Sequence, residues 1–228
     1  MKIQAILTDI EGTITDIHFV HHILFPYAAE KLPDFLQQHH QQTAIAELIT
    51  EVKQITQQPN MNLNQVIQQL LVWIAEDKKI TPLKTLQGHI WQQGYEQGAL
   101  TSHLYPDAID YLNRWHQQGL LLAIYSSGSV AAQKLLVRYS PMGDLTPIFN
   151  AYFDTHIGGK KEANSYLKIA QTLKIPANHI LFLSDVEAEL DAAQTAGMQT
   201  YCIVRDTHSD ISQHPKAHTF AEIQGVSS

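Results

Sequence analysis

Short runs that are largely apolar and do not alternate constrain this chain most: Ile3 to Thr8, Leu120 to Tyr125, Ala151-Tyr152-Phe153, Ile180 to Leu183 and Thr200 to Val204. Continuous rather than alternating apolarity describes strands buried on both faces, as in a parallel sheet. Between these runs the pattern turns helical. Pro106 opens a helix that Gly119 closes, and helices are expected over Val130 to Tyr139, Lys161 to Lys174 and Glu187 to Ala196, the last stopped by Gly197. Such alternation calls for one parallel sheet with right-handed crossovers and helices on both faces. A final strand is placed near Thr219-Phe220, in a weakly periodic tail that contains His208, His214 and His218.

One stretch breaks the alternation. From about Ile23 to Gly98 the periodicity is helical throughout, with Ile45, Leu48, Ile49, Val52 and Ile55 on one stripe and Val66, Ile67, Leu70, Leu71 and Ile74 on another. Pro59-Asn60 separates the two stripes, and Thr81-Pro82 starts a further helix carrying Trp91 and Tyr95. An all-helical insertion of roughly 75 residues is too long for a connecting loop. Residues 19–98 are therefore expected to form a cap domain, and residues 1–18 with 99–228 the core. Only the first strand precedes the insertion, so the cap is expected above the carboxyl ends of the strands.

With 228 residues and 44% hydrophobic content, the chain can bury one substantial core and a smaller second one. A formal charge of -7 argues against a nucleic-acid binder, which needs basic groups to replace phosphate counterions. Cys202 is the single cysteine, which rules out an internal disulfide or a thiolate zinc site. The apolar run between Lys2 and Thr8 is too short for a signal peptide, and no stretch is long enough for a membrane span. A cytoplasmic monomer without membrane or nucleic-acid partners is expected. Of the 13 histidines, His21-His22 and His39-His40 are adjacent pairs, not the i, i+4 pairs of a helical zinc site.

Four polar clusters follow the apolar runs, where open α/β sheets gather their ligands. In Asp9-Ile10-Glu11-Gly12-Thr13, Asp9 is placed to attack phosphorus as a carboxylate nucleophile, and Glu11 to move leaving-group and water protons. In Ser126-Ser127-Gly128-Ser129, hydroxyls and free amides at a helix start suit a phosphate, with Ser126 the better side-chain donor and Ser127 the better amide. A plain helix cap at Ser127 or Ser129 fits the same residues. Gly158-Gly159-Lys160-Lys161 offers a lysine for phosphate oxygens, through either Lys160 or Lys161. In Ser184-Asp185-Val186-Glu187, Asp185 would join Asp9 around a hard cation such as Mg²⁺. Glu187 and Glu189 suit the first turn of the next helix, and Glu189 could also hold a metal-bound water.

The four clusters, in this order, resemble the haloacid dehalogenase-like hydrolase superfamily. Asp9 to Thr13, Ile23-Leu24-Phe25-Pro26-Tyr27, Leu86-Gln87-Gly88-His89-Ile90-Trp91, Tyr125 to Ser129 with Ala132-Gln133-Lys134-Leu135-Leu136, and Ser165-Tyr166 are similar to the enolase-phosphatase (acireductone synthase) family within it. Glu11, where the superfamily usually carries aspartate, is typical of that family. The resemblance implies a Rossmann-like α/β core with an all-helical cap. It also implies a Mg²⁺-dependent enzyme of methionine salvage, which enolises the small phosphorylated diketone 2,3-diketo-5-methylthiopentyl-1-phosphate and then removes its phosphate. By motif matching, Asp9, Glu11 and Asp185 take the metal positions and Ser126, Ser127 and Lys160 the substrate positions, with Asp9, Glu11 and Lys160 catalytic. Phe19, Phe25 and Trp91 are candidates to meet the methylthio end. A generic phosphatase of the same superfamily would share the nucleophile and metal but not the cap sequence.

Overall fold

The computed structural model describes residues 2–205 and 212–226. It divides into two compact units, Met1–Ile17 with Ser102–Ser228, and His18–Thr101.

The first unit is a six-stranded parallel sheet in the order β3-β2-β1-β4-β5-β6, with helices on both faces. Its strands are β1 (Ala5–Thr8), β2 (Leu121–Tyr125), β3 (Ala151–Phe153), β4 (Ile180–Ser184), β5 (Gln199–Ile203) and β6 (Lys216–Ala217). β1 and β4, at the centre, are buried at every position. That is why their sequences show no alternation. β1 pairs with β2 through Ala5↔Leu121 to Thr8↔Ile124 and with β4 through Ala5↔Ile180 to Thr8↔Leu183. This register brings Asp9, Ser126 and Asp185, the residues that follow these strands, to one end of the sheet. The helices of this unit are α6 (Pro106–Gln117), α7 (Val130–Arg138), α8 (Ala163–Leu173) and α9 (Glu187–Thr195). Tyr125, Tyr166 and Phe182 are fully buried here, the Tyr166 and Phe182 rings meeting edge to face at 5.1 Å.

The strand expected near Thr219-Phe220 lies earlier, at Lys216–Ala217, where the amides of Cys202 and Val204 reach the carbonyls of Pro215 and Ala217. Phe220 instead starts a 3-10 turn, Phe220–Glu222, because its ring is fully buried and stacked on Trp115 at 5.6 Å. A two-residue edge strand leaves too short a pattern to read. His208 lies outside the described residues.

The short α1 (Ile17–Phe19) begins at the last residue of the first unit and leads into a π-helical turn of the second, Val20–Leu24. Then come α2 (Phe25–His39), α3 (Thr43–Ile55), α4 (Leu63–Ala75) and α5 (Thr81–Glu96). Asn62 and Gln65 cap α4 reciprocally, each side chain accepting from the other's amide, just after the Pro59-Asn60 break. Of the stripe residues, Ile45, Ile49, Val52, Val66, Ile67, Leu70 and Ile74 are buried, Leu48 and Leu71 are half-buried, and Ile55, the last residue of α3, is exposed. Among the described residues no helix is long and apolar enough to cross a membrane.

Phe182→Ala should show how far the sheet depends on its central filling. Removing a fully buried aromatic from β4 is expected to cost about 3–5 kcal/mol, read from the urea midpoint at unchanged slope.

Candidate active site

Asp9 leaves β1 into a buried position, 3% exposed, where its Oδ1 accepts the Ile10 amide at 2.8 Å. The Lys160 ammonium lies 2.6 Å from that same oxygen and 2.7 Å from Oε2 of Glu189. Glu189, from the first turn of α9, also accepts the Ser184 hydroxyl at 3.1 Å. The lysine backbone is held too, since the Tyr166 hydroxyl donates to the Lys160 carbonyl at 2.6 Å and the Tyr125 hydroxyl to the Gly158 carbonyl at 2.9 Å. Lys161 is exposed, so the geometry separates the two lysines that spacing left equivalent.

Gly12 has a φ of 70°, and a Cβ built there would lie 2.1 Å from Oδ2 of Asp185. Any side chain at this position would displace the carboxylate, and the left-handed backbone disfavours one as well. Asp185 Oδ1 is buried without a hydrogen-bond partner. Burial first, then the charges of Asp9 and Glu11, pushes the Asp185 carboxyl up to about 7. Glu189 is raised for the same reasons, burial and the charge of Asp9, against the pull of Lys160. Burial alone would lower Lys160, but Asp9 and Glu189 outweigh it and hold the ammonium well above its ordinary value.

Asp9 and Glu189 thus share the Lys160 ammonium, and the charges of Asp9 and Glu11 act on Asp185. An orphaned carboxylate oxygen against a glycine, within surplus negative charge, is the donor set that a hard divalent cation requires. Asp9, Glu11 and Asp185 fit such an ion.

The serine cluster resolves by position. Ser129 caps α7, accepting the Ala132 amide at 3.3 Å. Ser126, 1% exposed, follows β2 and accepts the Gly128 amide at 3.1 Å, and Ser127 comes next in that loop. The structure therefore brings Asp9, Lys160 and Asp185 together, with Glu11 in the turn beside them, and sets Ser126 and Ser127 at the end of the adjacent strand.

Two supports are legible in the sequence only in part or not at all. Glu189, expected in the first turn of the helix and as a holder of a metal-bound water, pairs directly with Lys160, a contact that spacing does not signal. Gln133 donates through its amide nitrogen to the carbonyls of Gly128 at 2.9 Å and Phe153 at 2.8 Å, tying the Ser126 loop to β3. A polar residue on the buried stripe of α7 was the available signal. In the helical unit, Phe25 stacks on Trp91 with centroids 6.4 Å apart, and the Trp91 indole donates to the Leu24 carbonyl at 2.8 Å.

A second group of potential metal donors, Glu187, Asp191 and His214, has ligand atoms within 4.8 Å of one another. Its members are engaged in docking the tail onto α9. His214 Nε2 lies 3.1 Å from Asp191 Oδ1, and Glu187 accepts from the Ser212 hydroxyl and from the Gln213 amide at 3.0 Å.

The acid after the first strand, the lysine paired to it and the further acid after β4 all lie within residues 3–197, which match the haloacid dehalogenase-like hydrolase model. The chain belongs to that family and, within it, to the enolase-phosphatases. It is 49% identical over 224 residues to Enolase-phosphatase E1 of Pseudomonas fluorescens, covering 98% of each chain. To the protein of the same name from Pseudomonas syringae pv. syringae it is 50% identical, covering 100% of each. The crystal structure of the UTR4 protein (Unknown transcript 4 protein) from Saccharomyces cerevisiae is similar with a TM-score of 0.84 and 34% identity, over 97% of this chain and 100% of that one. Membership makes the chain a phosphatase-type enzyme with enolase-phosphatase function, in a metal-dependent family.

The Asp185 shift has a thermodynamic signature. A carboxyl raised from 3.8 to about 7 binds its proton more tightly folded than unfolded, so its contribution to stability falls as pH rises between those values. In chelator, the calorimetric melting temperature should decline across that window, and Asp185→Asn should flatten the decline and melt higher above it.

Proposed function

We propose that this protein takes 2,3-diketo-5-methylthiopentyl-1-phosphate through enolisation and then phosphate hydrolysis to acireductone, a reaction of methionine salvage, with Asp9 as nucleophile. The observation that carries the proposal is the buried Asp9–Lys160 ion pair at the end of β1. Oδ1 of Asp9 is anchored by the Ile10 amide and Lys160, which leaves Oδ2 for in-line attack on phosphorus. The bond from phosphorus to the ester oxygen breaks as the aspartyl phosphate forms, and water then hydrolyses the acyl phosphate.

Mg²⁺ is the ion proposed for Asp9, Glu11 and Asp185; when bound, it offsets the repulsion between carboxylates and the phosphate dianion. Lys160 supplies a fixed positive charge to the phosphate and to the enediolate. Ser126, through its hydroxyl, and Ser127, through its amide, hold the phosphate oxygens. Enolisation needs a base for the proton on the carbon between carbonyl and phosphate. Glu11 is assigned that role, and the strongly cationic state of Lys160 speaks against the lysine as base. It also serves the proton of the leaving group. The core carries this chemistry, and the helical insertion at 19–98 is the proposed cap domain.

Asp9→Asn should reduce phosphate release by at least about 10³-fold. Glu11→Gln should slow exchange of the substrate proton with solvent by about 10²-fold or more. Both are read with Mg²⁺ and the diketo phosphate, following enol absorbance and free phosphate together. Phosphate release without the enol, or equal rates on a plain sugar phosphate, would indicate a generic phosphatase instead.

A further inference from the structure

Arg205 lies just past β5, its side chain 10% exposed, with the guanidinium 4.1 Å from the Tyr105 ring centre and 5.3 Å from that of Phe220. Nη1 donates to both oxygens of Asp107, at 3.0 and 2.9 Å, and to the His218 carbonyl at 3.3 Å. Nε and Nη2 converge on the Thr13 carbonyl, at 3.0 and 2.8 Å. Asp107 is fixed in turn, since it sits in the first turn of α6 and accepts the Phe220 amide at 2.8 Å.

The carbonyl that Arg205 holds belongs to the turn after the nucleophile strand. In that turn the amides of Thr13, Ile14 and Thr15 all point at the Ile10 carbonyl, and the Gly12 amide points at the Thr15 carbonyl. Thr13 is fully buried, and its carbonyl, turned away from this knot, meets the guanidinium twice. One residue upstream, Gly12 is packed on Asp185 too closely for a Cβ. Displacing the Thr13 carbonyl would therefore shift Gly12 against Asp185 and carry Glu11 with it.

We propose that Arg205 is a positioning residue of the active site, which holds the Thr13 carbonyl against Asp107 and so keeps the Glu11-Gly12-Thr13 turn packed on Asp185. The proposal rests on the metal-site reading above, because Glu11 and Asp185 are what it positions. Arginine is needed for its shape as well as its charge. Its planar fork serves a carboxylate and a carbonyl in fixed directions, whereas an ammonium reaches from a single point.

The test is calorimetric Mg²⁺ binding to the parent, Arg205→Lys, Arg205→Gln and Asp185→Asn, alongside melting temperature, kcat and KM for the diketo phosphate. Arg205→Gln should weaken Mg²⁺ binding and lower kcat about tenfold each, with KM within about twofold, and Arg205→Lys should fall between it and the parent. Asp185→Asn should abolish binding. A merely structural arginine would lower the melting temperature and leave Mg²⁺ affinity and kcat unchanged in the folded protein. That result in Arg205→Lys, the milder change, overturns the proposal even if Arg205→Gln does not fold. If Asp185→Asn binds Mg²⁺ like the parent, the metal assignment fails and takes this proposal with it.

Discussion

Lys160 is shared between two buried carboxylates, and the rest of the site is arranged around that imbalance. Its ammonium contacts Asp9 and Glu189 within 2.7 Å, while Asp185 and Glu11 add further negative charge beside them. Burying charge is costly unless it is paired, and the one ammonium is shared by Asp9 and Glu189 while Oδ1 of Asp185 is left without a hydrogen-bond partner. The fold tolerates the excess because neighbouring dipoles are fixed in place. The Ile10 amide faces Asp9, the Ser184 hydroxyl faces Glu189, and the Tyr125 and Tyr166 hydroxyls tether the lysine loop by its carbonyls. Part of the folding energy of the sheet is thus committed to a site that would be more stable neutral, a common arrangement where stability yields to function.

Legibility in the sequence follows the range of the forces involved. β1, β2, β3, β4 and β5 could be read because central parallel strands are apolar throughout, and their neighbours' glycines and prolines mark the helix ends. Asp9, Ser126, Lys160 and Asp185 could be located because each directly follows such a strand or stands between glycines and a helix. Pairings across the fold could not be read. Glu189 reads locally as a holder of a metal-bound water and Glu187 as a helix-start acid, but that one bonds the lysine and the other the tail has no local signal. Arg205 carries no local signal either, since its partners Thr13, Asp107 and His218 come from three distant segments. β6 is too short for its period to emerge, and Phe220, which looks like a strand residue, is a core plug under Trp115.

The tail repeats the lesson on a smaller scale. His214 is a buried residue in a stretch of poor periodicity, and it is held from both sides, by Thr200 at 2.8 Å and by Asp191 at 3.1 Å. Its neighbours Ser212 and Gln213 reach Glu187. Polar contacts to side chains already positioned by α9 and β5 hold this segment where hydrophobic patterning is absent. Such segments are visible only once the scaffold they lean on is known.

The order of the strands has a consequence for synthesis. β1 leaves the ribosome before the other strands of the sheet but lies mid-sheet, and its two partners are Leu121–Tyr125 and Ile180–Ser184. A nascent chain therefore carries an unpaired apolar strand through translation of the whole helical unit before either edge can be covered, and the Asp9 amide meets the Leu183 carbonyl only when β4 arrives. Long-range pairing of this kind slows folding and exposes sticky edges. The brevity of β1, four residues ending at Thr8 with Asp9 just beyond, limits how much edge is on offer in the meantime.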